Sequence, residues 1–136
     1  MTILFLWYME ILSPIKIEIS YSNETLYTYV IKVDGTNFYL TYGKTKNLKQ
    51  GSTVYTSDNI PLTTTLKNQQ IVDLIVAKNE PEAPFILISN DTNFELLRVN
   101  ITDRSVSQIL LDKGKPTIMV AGLDFISFAA YYNYYQ

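Results

Sequence analysis

The run from Thr25 to Tyr42, TLYTYVIKVDGTNFYLTY, is the feature that most narrows what this chain can fold into. Asp34-Gly35 lies between two stretches rich in β-branched and aromatic residues. A two-residue type I′ loop needs positive φ at both central positions, and Asp-Gly tolerates that, so the segment reads as a β-hairpin. With Asp34-Gly35 as the loop, Val33 faces Thr36, Ile31 faces Phe38, Tyr29 faces Leu40 and Tyr27 faces Tyr42, which gathers the apolar side chains on one face. The other face takes Thr28, Val30, Lys32, Asn37, Tyr39 and Thr41. A sheet that covers a core on one side requires this division, and a one-residue slip destroys it.

The segments around the hairpin carry the same signature. Ile15-Lys16-Ile17-Glu18-Ile19-Ser20 alternates strictly and reads as a half-buried strand, isoleucines on one face and polar residues on the other. Ser22-Asn23-Glu24 turns it into the hairpin. Gly43 to Ser52 is polar, bracketed by glycines and without period, so an exposed loop is expected. Short strands follow at Thr53–Thr56 and Leu62–Leu66, the second begun by Pro61 as sheet-edge strands often are. Ile71–Ala77 fits a strand or a short helix, and its β-branched content favours the strand. Asn79 to Pro84 is a stiff surface loop.

Strands are then expected at Phe85–Ile88, Phe94–Ile101, Val106–Leu111, Thr117–Ala121 and Phe125–Ala130, with turns between them at Asn90-Asp91-Thr92, Thr102-Asp103-Arg104 and Asp112 to Pro116. Many short strands, with no competing helical period, internal repeat or linker, mark sandwiches and barrels. The expected fold is all-β: one antiparallel β-sandwich domain over residues 1–136, jelly-roll-like in preference to an open barrel.

Composition removes most chemistry. The chain has no cysteine and no histidine, which excludes disulfides, thiol catalysis, Ser-His and Cys-His nucleophile pairs and the ordinary zinc, copper and iron sites. Eleven basic residues against thirteen acidic ones leave a net charge of −2, with no broad basic footprint for nucleic acid. No cofactor is expected, and no enzymatic activity. The apolar run Ile3 to Met9 is too short to span a bilayer, is preceded by no Lys or Arg and is interrupted by Glu10, so neither a membrane span nor a signal peptide is expected.

Local motifs add little. Gly43-Lys44-Thr45 resembles the end of a phosphate-binding loop, but the first glycine that motif needs falls on Phe38, and the segment opens no helix. Lys44, Lys46 and Lys49 read as a solvated loop before a weak anion contact, because affinity for a polyanion grows with the charges neutralised. Glu80 and Glu82 form the closely spaced carboxylate pair, yet they flank Pro81 in a segment expected to be exposed, where a solubilising role outweighs acid–base work. Asp91, Asp103 and Asp112 suit turns. Asn23, Asn90 and Asn100 each begin a glycosylation sequon.

The ends of the chain are its greasiest parts. The C-terminal segment 125–136 offers Phe125, Phe128, Tyr131, Tyr132, Tyr134 and Tyr135 with almost no charge, and the N-terminal segment 1–13 offers Phe5, Trp7 and Tyr8. Each is either a last core strand or a contact strip for a neighbouring copy, since aromatic residues are favoured where ring faces bury and hydroxyls find partners. Together they favour assembly. A short chain without Cys or His, rich in Tyr, Ile, Thr and Asn and ending in Tyr131-Tyr132-Asn133-Tyr134-Tyr135, resembles the small β-rich, capsid-type, single jelly-roll proteins of viruses infecting hyperthermophilic archaea. That resemblance implies a thermostable, non-enzymatic structural subunit of a virion capsid, located in the virion or at an extracellular surface, with copies of itself and other structural proteins as partners. It transfers no site residues. The alternative is a soluble cytoplasmic β-sandwich module binding carbohydrate or a protein through exposed tyrosines such as Tyr39 and Tyr55 and the Gly43 to Ser52 loop.

Overall fold

The structure, a computed structural model, describes residues 13–46, 59–63, 68–121 and 126–131, and the side chains of 15–46, 59–63 and 68–116. Among these residues there is no helix, and ten strands are present: β1 (Ser13–Ser22), β2 (Thr25–Asp34), β3 (Asn37–Lys46), β4 (Ile60–Leu62), β5 (Gln70–Ile75), β6 (Phe85–Ser89), β7 (Asn93–Asn100), β8 (Ser105–Lys113), β9 (Lys115–Ala121) and β10 (Ile126–Tyr131). They form one four-stranded sheet in the order β1-β2-β3-β4, a second in the order β5-β6-β7-β8, and the ribbon β9-β10. Every ladder is antiparallel. The all-β sandwich expected from the sequence is what the chain builds.

The described strands do not show a jelly-roll order. Both four-stranded sheets follow chain order, whereas a jelly roll interleaves its strands through Greek keys. Short turns explain this at β1–β2, β2–β3, β6–β7 and β7–β8, because a loop of two to four residues leaves the next strand no place except beside the last; the longer β3–β4 and β5–β6 connections keep the same order. The strands expected at Ile3 to Met9 and Thr53–Thr56 lie outside the described residues. Two other expectations shift in extent: β3 runs on through Gly43, Lys44, Thr45 and Lys46, held by its ladder to β2 as far as Thr25 opposite Lys46, and β4 begins at Ile60.

The central hairpin keeps its faces and moves its turn. Asp34 pairs with Asn37, so the loop is Gly35-Thr36, and Gly35 at φ +62° takes the first central position as a type II′ turn demands. Val33 therefore meets Phe38, Ile31 meets Leu40 and Tyr29 meets Tyr42. The shift of two residues preserves side-chain parity, so the apolar face is the expected one.

That face meets the second sheet. Tyr27, Tyr29, Ile31, Phe38, Leu40, Ile60 and Leu62 pack against Leu74, Ile86, Ile88, Leu97, Val99 and Ile101 in the main core. At about 1.5–3 kcal/mol for each large apolar side chain fully buried, this layer carries most of the stabilisation. A second cluster of Leu87, Phe94 and Leu96, backed by Val72, Ile75, Phe85 and Leu110, uses the opposite face of β6 and β7, with β9 running close to β5, β6 and β7. Buried on both sides, β6 has no reason to alternate, and its sequence Phe85-Ile86-Leu87-Ile88 is apolar throughout.

Candidate functional site

Two places on the molecule depart from a plain sandwich, and the first is β1. Asn23 and Glu24 have φ of 50° and 62°, the two positive values of a type I′ loop, and Ser22 pairs with Thr25 across it. The ladder then sets Ser20 opposite Tyr27, Glu18 opposite Tyr29 and Lys16 opposite Ile31. Directly opposed residues share a face, so the polar side chains of β1 lie on the core side. The isoleucines lie outside: Ile15, Ile17, Ile19 and Tyr21 are 42%, 62%, 59% and 59% exposed. β1 is half-buried as expected, with its charged face inward and its isoleucines outward. Lys16 reaches Asp73 on β5 at 3.9 Å, and Glu18 is held above the usual carboxylate range, chiefly by desolvation. A bulge at Ile15 shifts the register of the ladder, which continues through Pro14 and Ser13, and among the described strands β1 is one edge of its sheet and β4 the other.

The second place is a polar clamp at the end of the sandwich nearest Glu82. The segment from Ala77 to Pro84 is strapped down: Glu80 N–H donates to the Ala77 carbonyl, Ala83 N–H to that of Glu80, and Ile101 N–H to that of Glu82, each near 3.0 Å. This fixes the Glu82 carboxylate between the sheets. Its Oε1 accepts from Lys44 Nζ at 2.8 Å and from the Tyr27 hydroxyl at 3.3 Å, while Oε2 accepts from Thr102 Oγ1 at 2.8 Å. Lys44 also lies 5.6 Å from the centre of the Tyr27 ring. Hydrogen bonds from Lys44 and then Thr102 hold the Glu82 carboxyl below its ordinary range, and its bond in turn raises Lys44. Alongside, the Tyr29 hydroxyl donates to the Pro81 carbonyl, and desolvation pushes both the Tyr27 and Tyr29 hydroxyls above their ordinary pKa.

With three donors on one carboxylate and two tyrosines kept protonated, this cluster is built to fasten. It joins β2 and β3 of one sheet to the β5–β6 and β7–β8 connections of the other. Glu80 does not share its neighbour's partners; it pairs with Arg98 at 2.8 Å, and Arg98 covers the Phe85 ring. The loop expected to be merely exposed is therefore a strap, with Ala83 and Pro84 buried beneath it.

The remaining sequence-derived candidates fall as follows. Phe5, Trp7, Tyr8, Lys49, Phe125, Tyr132, Tyr134 and Tyr135 lie outside the described residues. Phe128 and Tyr131 are on β10, opposite Met119 and Lys115, with side chains likewise outside the description. Lys44 belongs to the clamp and Lys46 is exposed at the end of β3. Asn23 and Asn100 are exposed, whereas Asn90 is half-buried with its Oδ1 accepting from the Thr92 and Asn93 N–H groups. Glu95, not singled out from sequence, is 1% exposed and accepts from Gln108 at 3.1 Å. A carboxylate inside the apolar run Phe94 to Leu97 was the available signal. Among the described residues no group of three or more potential ligands is placed to hold a metal ion, and no helix is long and apolar enough to cross a membrane.

No protein-family model, curated protein or solved structure matches this chain. What fold and site define is a class: an antiparallel β-sandwich whose two sheets are clamped together at one end and whose first described strand shows its apolar face to solvent. Function is read from that surface.

Proposed function

We propose that this chain is a non-enzymatic structural subunit that associates with copies of itself. The observation that carries the reading is the row Ile15, Ile17, Ile19 and Tyr21 on β1, four large apolar side chains exposed on one face of an edge strand. Contiguous apolar surface of this kind on an edge is a liability to a solitary domain and an asset to an assembling one. The aromatic content of the chain's two ends supports the same reading, and the resemblance in composition extends it to a capsid or capsid-associated subunit at a virion surface. The clamp around Glu82 suits that role by making the sandwich rigid, and its saturated carboxylate offers no free base for chemistry.

The test is the solution mass of the full-length chain by light scattering across a range of concentration and salt. A mass well above the 15.6 kDa monomer that persists in high salt is expected, because apolar contacts are not screened. A monomer at every concentration overturns the reading.

A second reading has one observation of its own. A hollow of about 620 Å³ opens beside the Gly35-Thr36 turn, lined by Phe38, Tyr39, Pro61, Leu62 and Gln69 among others. An aromatic wall with neighbouring amide groups suits a carbohydrate or peptide, and a monomeric chain that bound a glycan array in a Tyr39-dependent way would establish the binding-module alternative.

A further inference from the structure

We propose that β1 is an edge through which two copies pair, antiparallel about a two-fold axis at Ile17, so that Lys16 of each strand stands opposite Glu18 of the partner subunit. The inference rests on the self-association reading and names its surface and register. It follows from three features of β1.

The first is the direction of its backbone groups. Ser22 and Thr25 close a two-residue turn, so they exchange hydrogen bonds, and alternation points the backbone groups of Ser20 and Glu18 toward β2 as well. Those of Ile17, Ile19 and Tyr21 point outward. One sign of this is already visible: the Ile19 N–H, lacking a strand to bond, is taken at 3.3 Å by the carboxylate of Glu18. A second strand offers this donor a carbonyl and releases Glu18.

The second is charge. Lys16 and Glu18 lie on the core side of the sheet edge, where an ionised side chain discourages any incoming strand that cannot answer it. A copy of β1 answers it in one register. Centred on Ile17, the pairing sets Lys16 against Glu18 of the partner subunit twice over, in the closer, non-hydrogen-bonded positions. Centred on Glu18, it sets two carboxylates against each other; centred on Ile19, it leaves Lys16 and Glu18 opposite serines.

The third is the apolar row. In the same register Ile17 stands beside Ile17 of the partner subunit and Ile15 beside Ile19 of the partner subunit, so side chains that are 42–62% exposed in one chain gain an apolar neighbour across the axis. Charge, backbone direction and hydrophobic pattern select one geometry.

The experiment is a charge swap on the full-length chain, read as the dissociation constant by sedimentation, with folding monitored by far-UV circular dichroism. Lys16→Glu and Glu18→Lys each place like charges across the axis at two positions and are expected to weaken association by about tenfold or more. The double variant K16E/E18K restores opposite charges and is expected to return association to within about threefold of the wild type. It also keeps opposite charges near Asp73, which faces both positions from β5. Ile17→Pro removes a donor of the new ladder and none of the β1–β2 ladder, and is expected to weaken association with the circular dichroism spectrum unchanged. A monomeric wild type overturns the self-association reading and this pairing together. An associating wild type matched by both single reversals, or a double variant no tighter than the singles, means that another surface is used, and the β1 pairing alone falls. Should the reversals unfold the chain, undiminished association of Ile17→Pro overturns it.

Discussion

Glu82 shows how much one side chain can hold when its partners come from far apart in the chain. Lys44, Tyr27 and Thr102 donate to it from three different elements, and the carboxyl is kept below its ordinary value of 4.5 as a result. Glu82→Ala is expected to lower stability at pH 7 by about 1–2 kcal/mol in urea unfolding, near the low end for charged hydrogen bonds because these side chains are partly in water. The pH dependence has a definite sign. A carboxyl depressed in the folded state lends stability that is fully present above the unfolded value and lost as pH falls through the folded one. The gap between wild type and variant should therefore be constant from about pH 6 upward through neutrality and shrink below about pH 4.5. None of this was legible in the local sequence, where Glu80-Pro81-Glu82 has the look of a solvated loop; the donors that change Glu82 lie 38 and 20 residues away for Lys44 and Thr102.

At the scale of elements, the hairpins were the legible part and their turns the instructive one. Asp34-Gly35 marks the bend correctly, yet the loop is Gly35-Thr36, because a glycine that accepts φ +62° serves a type II′ turn at its first central position as well as a type I′ turn at its second. Only the ladder settles which. The preceding turn carries its two positive φ values on Asn23 and Glu24, neither a glycine. Glycine exchanges in opposite directions should thus have opposite effects. Glu24→Gly is expected to raise stability by about 0.5–1 kcal/mol by relieving the left-handed conformation, and Gly35→Ala to lower it by about 1 kcal/mol, both read in thermal unfolding. A Cβ at Gly35 meets no atom within 4 Å, so the loss there is conformational rather than steric, and Gly35→Asn should recover much of it.

The whole molecule has more than the one core that alternation along β2 and β3 implies. Ile86 and Leu87 are neighbours in β6, point to opposite faces and are both fully buried, one in the main core and the other in the cluster with Phe94 and Leu96. In a simple two-layer sandwich the outward member of such a pair would be replaceable. Here Ile86→Ala and Leu87→Ala are each expected to cost about 2–5 kcal/mol by denaturant unfolding, as buried truncations do. A Leu87 variant within a few tenths of wild type would show that the second cluster contributes little.

The sequence by itself determined the strands, most of their turns and the parity of the central hairpin, because these depend on φ preferences and a period of two between near neighbours. It also determined which chemistry is excluded, since a chain without Cys or His cannot build the sites those residues make. Tertiary structure alone decided which face of β1 meets the core. Alternation in β1 separates isoleucines from charged residues without saying which set points inward; the Asn23-Glu24 turn and the pairing with Tyr27, Tyr29 and Ile31 put the charges in and the isoleucines out. It decided the grip on Glu82 for the same reason: that grip rests on contacts between residues distant in the chain, and local preferences carry no record of those.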